Sequence, residues 1–317
     1  MKAGTRVSKR VRTRQAARAE ADRRYGPGWK SIRSDSVVVI QSRSFAEIPW
    51  MIHGFSTRLG GSSLLSGTRV LNLGPTQWDT PQALKLNRGA FIHALGVKGA
   101  ALARLDQCHG DVIHRLDAVP ATNLKGDALI SGTPGLLLAV QVADCVPILL
   151  VDRRRRAVAA VHAGWRGTLA RIAEKTIGRM KMEFDTRPED VLAAIGPAIG
   201  PCCYEVGPEV AQAFAGQFPE ARHWFEGPFD HLASGDDPAP FPWLSQTPPG
   251  HEAPAPRVRL DLRAANRWQL ESAGIPTAQI FTSSLCTSCR KELFFSHRRE
   301  AGKTGRMMAV IGIRPNN

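Results

Sequence analysis

The sequence predicts a mixed α/β fold (α+β in the broad sense) closed into a single domain. Short β-branched apolar runs recur from Val37–Ile40 to Met307–Ile313, and stretches with helical spacing separate them. No internal repeat of roughly 20 to 50 residues divides the chain. At 317 residues it is long enough for one large domain or two ordinary ones, and strands that reach both ends favour one.

Residues 1–33 read as a basic, flexible arm. They hold 11 Lys or Arg against 2 acidic residues, so they carry +9 of the net charge of +14. Gly26-Pro27-Gly28 punctuates its end. No aromatic side chain that could stack on bases occurs before Tyr25, which leaves weak contact with nucleic acid or another polyanion as the most the arm would do. The single catalytic domain is then expected over 34–317.

Its first strand is Val37–Ile40. Next, Trp50–Thr57 runs into Arg58-Leu59-Gly60-Gly61, where glycines beside an arginine can present backbone N–H groups to an anion or simply make a turn. Gln82–Leu95 has helical spacing. Ala101–Leu105 leads as a strand into Gln107-Cys108-His109-Gly110, and Asp111–Leu116 and Ala128–Ile130 follow as strands.

The centre of the chain is the most informative part. Two apolar runs, Leu136–Val142 and Val146–Val151, flank Ala143-Asp144-Cys145, and a third, Ala157–Val161, delivers His162. Arg153–Arg156 suit an exposed turn, so the second and third runs are expected to pair as a hairpin. An antiparallel pair would bring Cys145 and His162 to the same end of a sheet. Thr168 is expected to cap a helix carrying Leu169, Ile172, Ala173, Ile177 and Met180.

Val191–Ile195 is a strand, and Pro208–Phe218 has helical spacing. Eight of the chain's 22 prolines fall within 226–256, which reads as a surface insertion. Val258–Leu260, the helix Leu262–Ala273, Ile280–Thr282 and Met307–Ile313 complete the pattern.

No run approaches the roughly 18 apolar residues of a membrane span, and the N-terminus lacks the apolar core of a secretory signal. Six cysteines, two of them adjacent, suit a reducing compartment, so a soluble cytoplasmic protein without membrane contact is expected.

Residue types leave the chemistry open. His109, Cys145 and His162 at strand ends can hold zinc with a fourth position free. Cys145 and His162 alone can form a nucleophile pair, and the three can also be unrelated buried residues. Cys286 and Cys289 form a CxxC, but a structural zinc site needs a second pair, and adjacent Cys202-Cys203 lack that spacing. Two small residues near a turn is the plainer expectation there.

Five ordered motifs narrow the choice. They are Gln107-x-His109-Gly110, Ala143-Asp144-Cys145-x-Pro147-Ile148, His162-Ala163-Gly164-Trp165-Arg166-Gly167-Thr168, Gly196-Pro197-x-Ile199-x-x-Cys202-x-Tyr204-Glu205-Val206 and Phe294-Phe295-Ser296-x-Arg298-Arg299. Together they resemble the laccase-domain family, formerly called multicopper polyphenol oxidases and now regarded as zinc-dependent purine nucleoside phosphorylases that also deaminate adenosine. The match runs from about His53 to Ile313.

The resemblance implies layered mixed sheets flanked by helices, with zinc held by His109, Cys145 and His162 as metal ligands and catalytic centre. It also implies purine nucleosides (adenosine, inosine and methylthioadenosine) and inorganic phosphate as substrates. Arg58, Arg166 and Arg298 are candidates for phosphate, and Asp127, Asp144 and Glu205 for proton transfer. Two departures stand out, Cys108 beside a proposed ligand and His297 where the family typically has Tyr. Copper-dependent phenol oxidation and non-catalytic polyanion binding are the alternatives. His₂Cys donors also suit a copper site, but a multicopper oxidase needs many more paired histidines.

Overall fold

The structure is a computed structural model that describes residues 18–122, 124–230 and 257–315. Two six-stranded sheets stack face to face, with helices on both outer sides. The first sheet contains β1 (Trp29–Ser34), β2 (Val37–Ser42), β3 (Met51–Ser56), β4 (Ala101–Ala103), β7 (Leu136–Val142) and β12 (Met307–Ile313). The second contains β5 (Ile113–Arg115), β6 (Ala128–Ser131), β8 (Val146–Asp152), β9 (Ala157–Ala163), β10 (Val191–Ile195) and β11 (Ile280–Thr282). Their orders are β1-β2-β3-β12-β7-β4 and β11-β10-β8-β9-β6-β5.

The unbroken apolar runs follow from burial on both faces. In β7, Leu136, Leu138 and Val140 face the opposite sheet, whereas Leu137 and Ala139 pack under α1 (Pro81–Ala94). In β8, Leu149 and Val151 face inward. Ile148 and Leu150 pack with α2 (Trp165–Leu169), α3 (Ile172–Phe184), α4 (Pro208–Gln217) and α5 (Leu262–Ser272). Side chains alternate along a strand, so one sequence serves two cores.

The expected hairpin is present. β8 and β9 pair antiparallel with Pro147 opposite His162 and Val146 opposite Ala163. Asp152 Oδ1 accepts the amides of Arg154 and Arg155 at 2.8 and 2.9 Å, which closes the arginine turn. The run before it behaves differently: β7 lies in the other sheet, so Ala143-Asp144-Cys145 carries the chain from one layer to the next.

Several expectations need correction. Trp29–Ser34 forms a strand paired along its length with β2, and Tyr25 and Trp29 are buried, so these residues belong to the folded body and not to the arm. Apolar surface outweighs the local basic charge there. Residues 1–17 lie outside the described residues. Ala101–Leu105 divides at Arg104, because Leu105–Asp106 pairs with Leu124–Lys125 in a separate ribbon. The insertion expected at 226–256 begins with an ordered part, since Phe225–Glu226 pairs with Val258–Leu260 and Phe229 is buried. Residues 231–256 lie outside the described residues.

Thr168 is no helix cap. α2 begins after Gly164, and Arg171, with φ +61°, separates it from α3. Thr168 is buried instead, where its Oγ1 accepts from Asn266 Nδ2 at 2.9 Å and its carbonyl from Gln269 Nε2 at 2.6 Å. Those bonds account for the polar members of α5. Among the described residues no helix is long and apolar enough to cross a membrane.

Candidate active site

The site lies where the ends of β6, β8 and β9 meet the chain crossing between sheets. Ala128 pairs with Val161, so Asp127 and His162 extend the same ladder one step further. The His162 amide donates to the Asp127 carbonyl at 2.8 Å. Their side chains then meet on the inward face, with His162 Nδ1 2.8 Å from Asp127 Oδ1. Alternation also turns Cys145 inward, in the same sense as Leu149 and Val151.

His109 arrives by a different device. Its φ is +60°, a left-handed conformation uncommon outside glycine. Asp127 supports this turn through both carboxylate oxygens. Oδ1 accepts the His109 amide at 3.0 Å, while Oδ2 accepts the amides of Gly110 at 2.7 Å and Cys108 at 3.3 Å. One buried carboxylate thus places two histidines. The His109 and His162 rings meet edge to face with centroids 4.8 Å apart.

Nitrogen atoms of both histidines and the Cys145 sulfur lie within 4.8 Å of one another. Gly164 permits this approach, since a Cβ there would stand 3.1 Å from His109 Cδ2 and 3.2 Å from Cys145 Sγ. Zn–N distances of about 2.0–2.1 Å and Zn–S of about 2.3 Å fit such a triangle. Asp127 fixes the proton of His162 on Nδ1, which leaves Nε2 for a metal, the carboxylate–histidine arrangement usual at zinc. The residues present therefore fit a zinc ion.

The electrostatics agree. Burial raises the Cys145 thiol, but the charge of His162 and hydrogen bonds from both histidines outweigh it and bring the pKa down to about 6. Burial depresses His162, yet the Cys145 thiolate and the Asp127 carboxylate carry it up to about 9. Burial likewise opposes ionisation of Asp127, and its bonds to His162 and Gly110 hold it down at about 2. Without a metal the pair is thus a thiolate beside a protonated His162, and a bound metal would displace the Nε2 proton.

These three side chains open on a cavity of about 570 Å³. Arg166 and Arg298 line it, as do Arg104 and Arg306, Trp165 and Tyr204, and His297. The Arg166 guanidinium sits 4.3 Å over the Trp165 ring and that of Arg298 5.3 Å over Tyr204. A second recess of about 660 Å³ shares this wall and adds Glu205 and Arg257, which form an ion pair at 3.1 Å.

The remaining sequence candidates are tied up by protein partners, with Asp144 at the cavity edge. Arg58 is not on the cavity wall: it pairs with Glu300 at 3.0 Å and lies 4.8 Å over the Phe295 ring. Asp144, with φ +88°, is buried and fully engaged. Its carboxylate accepts from Thr287 Oγ1 at 2.6 Å, Ser296 Oγ at 3.0 Å and the Arg298 amide at 2.7 Å. It ties the C-terminal loop to the site. Cys108 is not among the three clustered donors, and its sulfur lies 3.2 Å from Asp127 Oδ2. Arg104 escaped notice in the sequence, where it reads as the polar member of a strand; its place on the wall comes from the break after Ala103.

The Multi-copper polyphenol oxidoreductase laccase family model matches residues 52–314. The chain belongs to this family. It is 38% identical over 263 residues to a purine nucleoside phosphorylase of Deinococcus radiodurans, covering 82% of this chain and 88% of that protein. Purine nucleoside phosphorylase YlmD of Geobacillus stearothermophilus is 36% identical over 272 residues, covering 83% of this chain and 90% of that one. The crystal structure of the Bacillus licheniformis hypothetical protein YfiH superimposes with a TM-score of 0.74 at 34% identity. It covers 89% of this chain and 99% of that one. The layered sheets are therefore the family's fold.

Proposed function

We propose that this protein is a purine nucleoside phosphorylase whose cavity binds a nucleoside beside inorganic phosphate, with zinc held by His109, Cys145 and His162. The observation that carries the reading is the juxtaposition of those three ligands with four arginines on one cavity wall. The volume suits a drug-sized ligand. Names of relatives across most of the chain support the same substrates.

In this reaction a phosphate oxygen forms a bond to the anomeric carbon while the glycosidic C–N bond breaks. The electron pair departs with the purine, which takes up a proton. Arg166 and Arg298, with Arg104 and Arg306 on the same cavity wall, bind and orient the phosphate through charge-assisted hydrogen bonds. Trp165 and Tyr204 offer flat faces to the base. Bound zinc supplies a Lewis acid and lowers the pKa of a coordinated water to about 7. Asp127 keeps His162 in the tautomer that faces the ion.

Hydrolytic deamination of adenosine, in which water adds at the amino-bearing purine carbon and ammonia leaves to give inosine, would draw on the same ligand set if it held zinc. Asp127 and Asp144 have their carboxylates engaged, and Glu205 is paired with Arg257. Asp106 is the other carboxylate on the cavity wall, and we assign it the proton transfer. Adenosine, inosine and methylthioadenosine are the expected substrates. Zinc is preferred to copper because, among the described residues, the only other clustered ligand group is all cysteine and offers no paired histidines. Six free thiols accord with a cytoplasmic setting.

Chromatographic product analysis tests the proposal. Inosine should yield hypoxanthine and ribose 1-phosphate only when phosphate is present, and adenosine should yield inosine without it. Failure of the purified zinc-loaded protein to convert any of the three nucleosides would overturn the reading. Oxygen consumption with a phenol by copper-loaded protein would favour the alternative.

A further inference from the structure

The turn following β10 and the loop following β11 bring four cysteines together. Cys202 Sγ lies 3.6 Å and Cys203 Sγ 3.4 Å from Cys289 Sγ, and all four sulfurs of Cys202, Cys203, Cys286 and Cys289 fall within 4.8 Å of one another. They are unbonded thiols. The sequence hid this pairing, because adjacent cysteines lack the spacing of a CxxC knuckle and 82 residues separate Cys203 from Cys286. We propose that these four cysteines form a second, structural metal site that holds one zinc ion as a tetrathiolate.

Geometry favours an ion over a disulfide. Four sulfurs at about 2.3 Å from one tetrahedral zinc stand about 3.8 Å apart, close to the separations observed. A disulfide would join two sulfurs at about 2.05 Å and leave the other pair unexplained. All four donors are soft sulfur atoms, which a bound metal would hold as thiolates by displacing their protons, and such a set suits zinc among the common divalent ions.

The surroundings suit the negative charge of such a centre. The Gly200 amide donates to Cys286 Sγ at 3.3 Å, the kind of outer hydrogen bond that orients a metal-bound thiolate. A Cβ on Gly200 would stand 2.9 Å from Arg263 Nη2 and 3.3 Å from Cys202 Sγ, so this guanidinium and the sulfur flank the same glycine. Arg299 Nη1 donates to the carbonyls of Thr287 and Ser288, both at 2.8 Å, which sets the turn between the two later cysteines.

The site joins two segments of the catalytic wall. Ala198 and Cys286 form a parallel bridge, and the Thr287 amide donates to the Ala198 carbonyl at 3.1 Å. One segment continues to Tyr204 and Glu205, the other to Ser296 and Arg298. Arg298 Nη1 then reaches back to the Glu205 carbonyl at 2.7 Å. Zinc at the cysteines would lock these segments in register without touching substrate.

The test is a metal count by native mass spectrometry on full-length protein purified without chelator from zinc-supplemented cells. The His109→Ala/His162→Ala variant should retain one zinc, and Cys286→Ser/Cys289→Ser should hold one fewer than wild type. This result stands whether or not the catalytic reading does. Should the cysteine variant fail to fold, thiol alkylation of the wild type decides. All four cysteines should resist alkylation until a strong chelator is added. Rapid alkylation of the four in zinc-replete protein would overturn the proposal, as would a Cys203–Cys289 or Cys202–Cys289 disulfide in the intact mass, or iron in place of zinc.

Discussion

Replacing Asp127 by Asn tests the site at its hinge, because that single carboxylate orients His162 and supports the turn that presents His109. Four donors converge on its oxygens besides the Cys108 thiol: His162 Nδ1, and the amides of Cys108, His109 and Gly110. An asparagine has one accepting oxygen, so its NH₂ group must confront either the His162 and His109 donors or the Gly110 and Cys108 donors. Each lost bond to a charged, buried acceptor is worth about 1.5–3 kcal/mol. Two such bonds would cost about 3–6 kcal/mol, and the depression of the Asp127 pKa from 3.8 to about 2 sets a lower figure of about 2 kcal/mol. The Asp127→Asn protein without metal should therefore unfold about 2–6 kcal/mol more easily than wild type by urea titration. Its zinc affinity should fall about 10- to 100-fold, as is usual when a partner of a metal-bound histidine is removed. Zinc protection of the Cys145 thiol from alkylation, resolved by peptide mass, reads this site alone. The pH dependence has a definite sign. A carboxylate with a depressed pKa contributes fully above about pH 3.8 and loses that contribution as pH falls through about 2, so the gap between the two proteins should narrow in acid. Wild-type stability and wild-type zinc protection in the variant would refute the reasoning.

Other outcomes follow from the same geometry. Arg166→Ala and Arg298→Ala should each raise the phosphate KM about tenfold or more, as loss of a charge-assisted bond implies, whereas Arg58→Ala should leave it unchanged and lower stability by about 1 kcal/mol. A shift in the phosphate KM with Arg58→Ala would contradict its placement against Glu300. In metal-free protein the rate of Cys145 alkylation should rise with pH through about 6, and His162→Ala should move that midpoint upward, since the histidine charge is what holds the thiol down. A midpoint unmoved by the substitution would show that His162 does not set it. Leu149→Ala, in the fully buried layer between the sheets, should cost about 2–5 kcal/mol in urea unfolding with little change in KM.

Those parts of the fold set by local pattern were legible in the sequence. The apolar runs of β8 and β9 with four arginines between them specify a hairpin, and that alone brings Cys145 and His162 to one end. What the sequence did not disclose depends on contacts between distant segments. Nothing local says that β7 departs to the other sheet, or that Asp127 would hold a positive φ at His109. Arg58 looks like an anion ligand until Glu300 is found beside it. The four cysteines are close only because the turn after β10 folds against the loop after β11. Trp29 was hidden by its basic neighbours, although its burial is what draws residues 29–34 into the sheet.

The central claim is that His109, Cys145 and His162 share one zinc ion facing the cavity, and an anomalous difference map collected across the zinc absorption edge tests it directly. A peak about 2.0–2.1 Å from a nitrogen of each histidine and about 2.3 Å from Cys145 Sγ is the expected result. Crystals of zinc-replete protein with no peak there, and with the His109 ring turned away from Cys145, would contradict it.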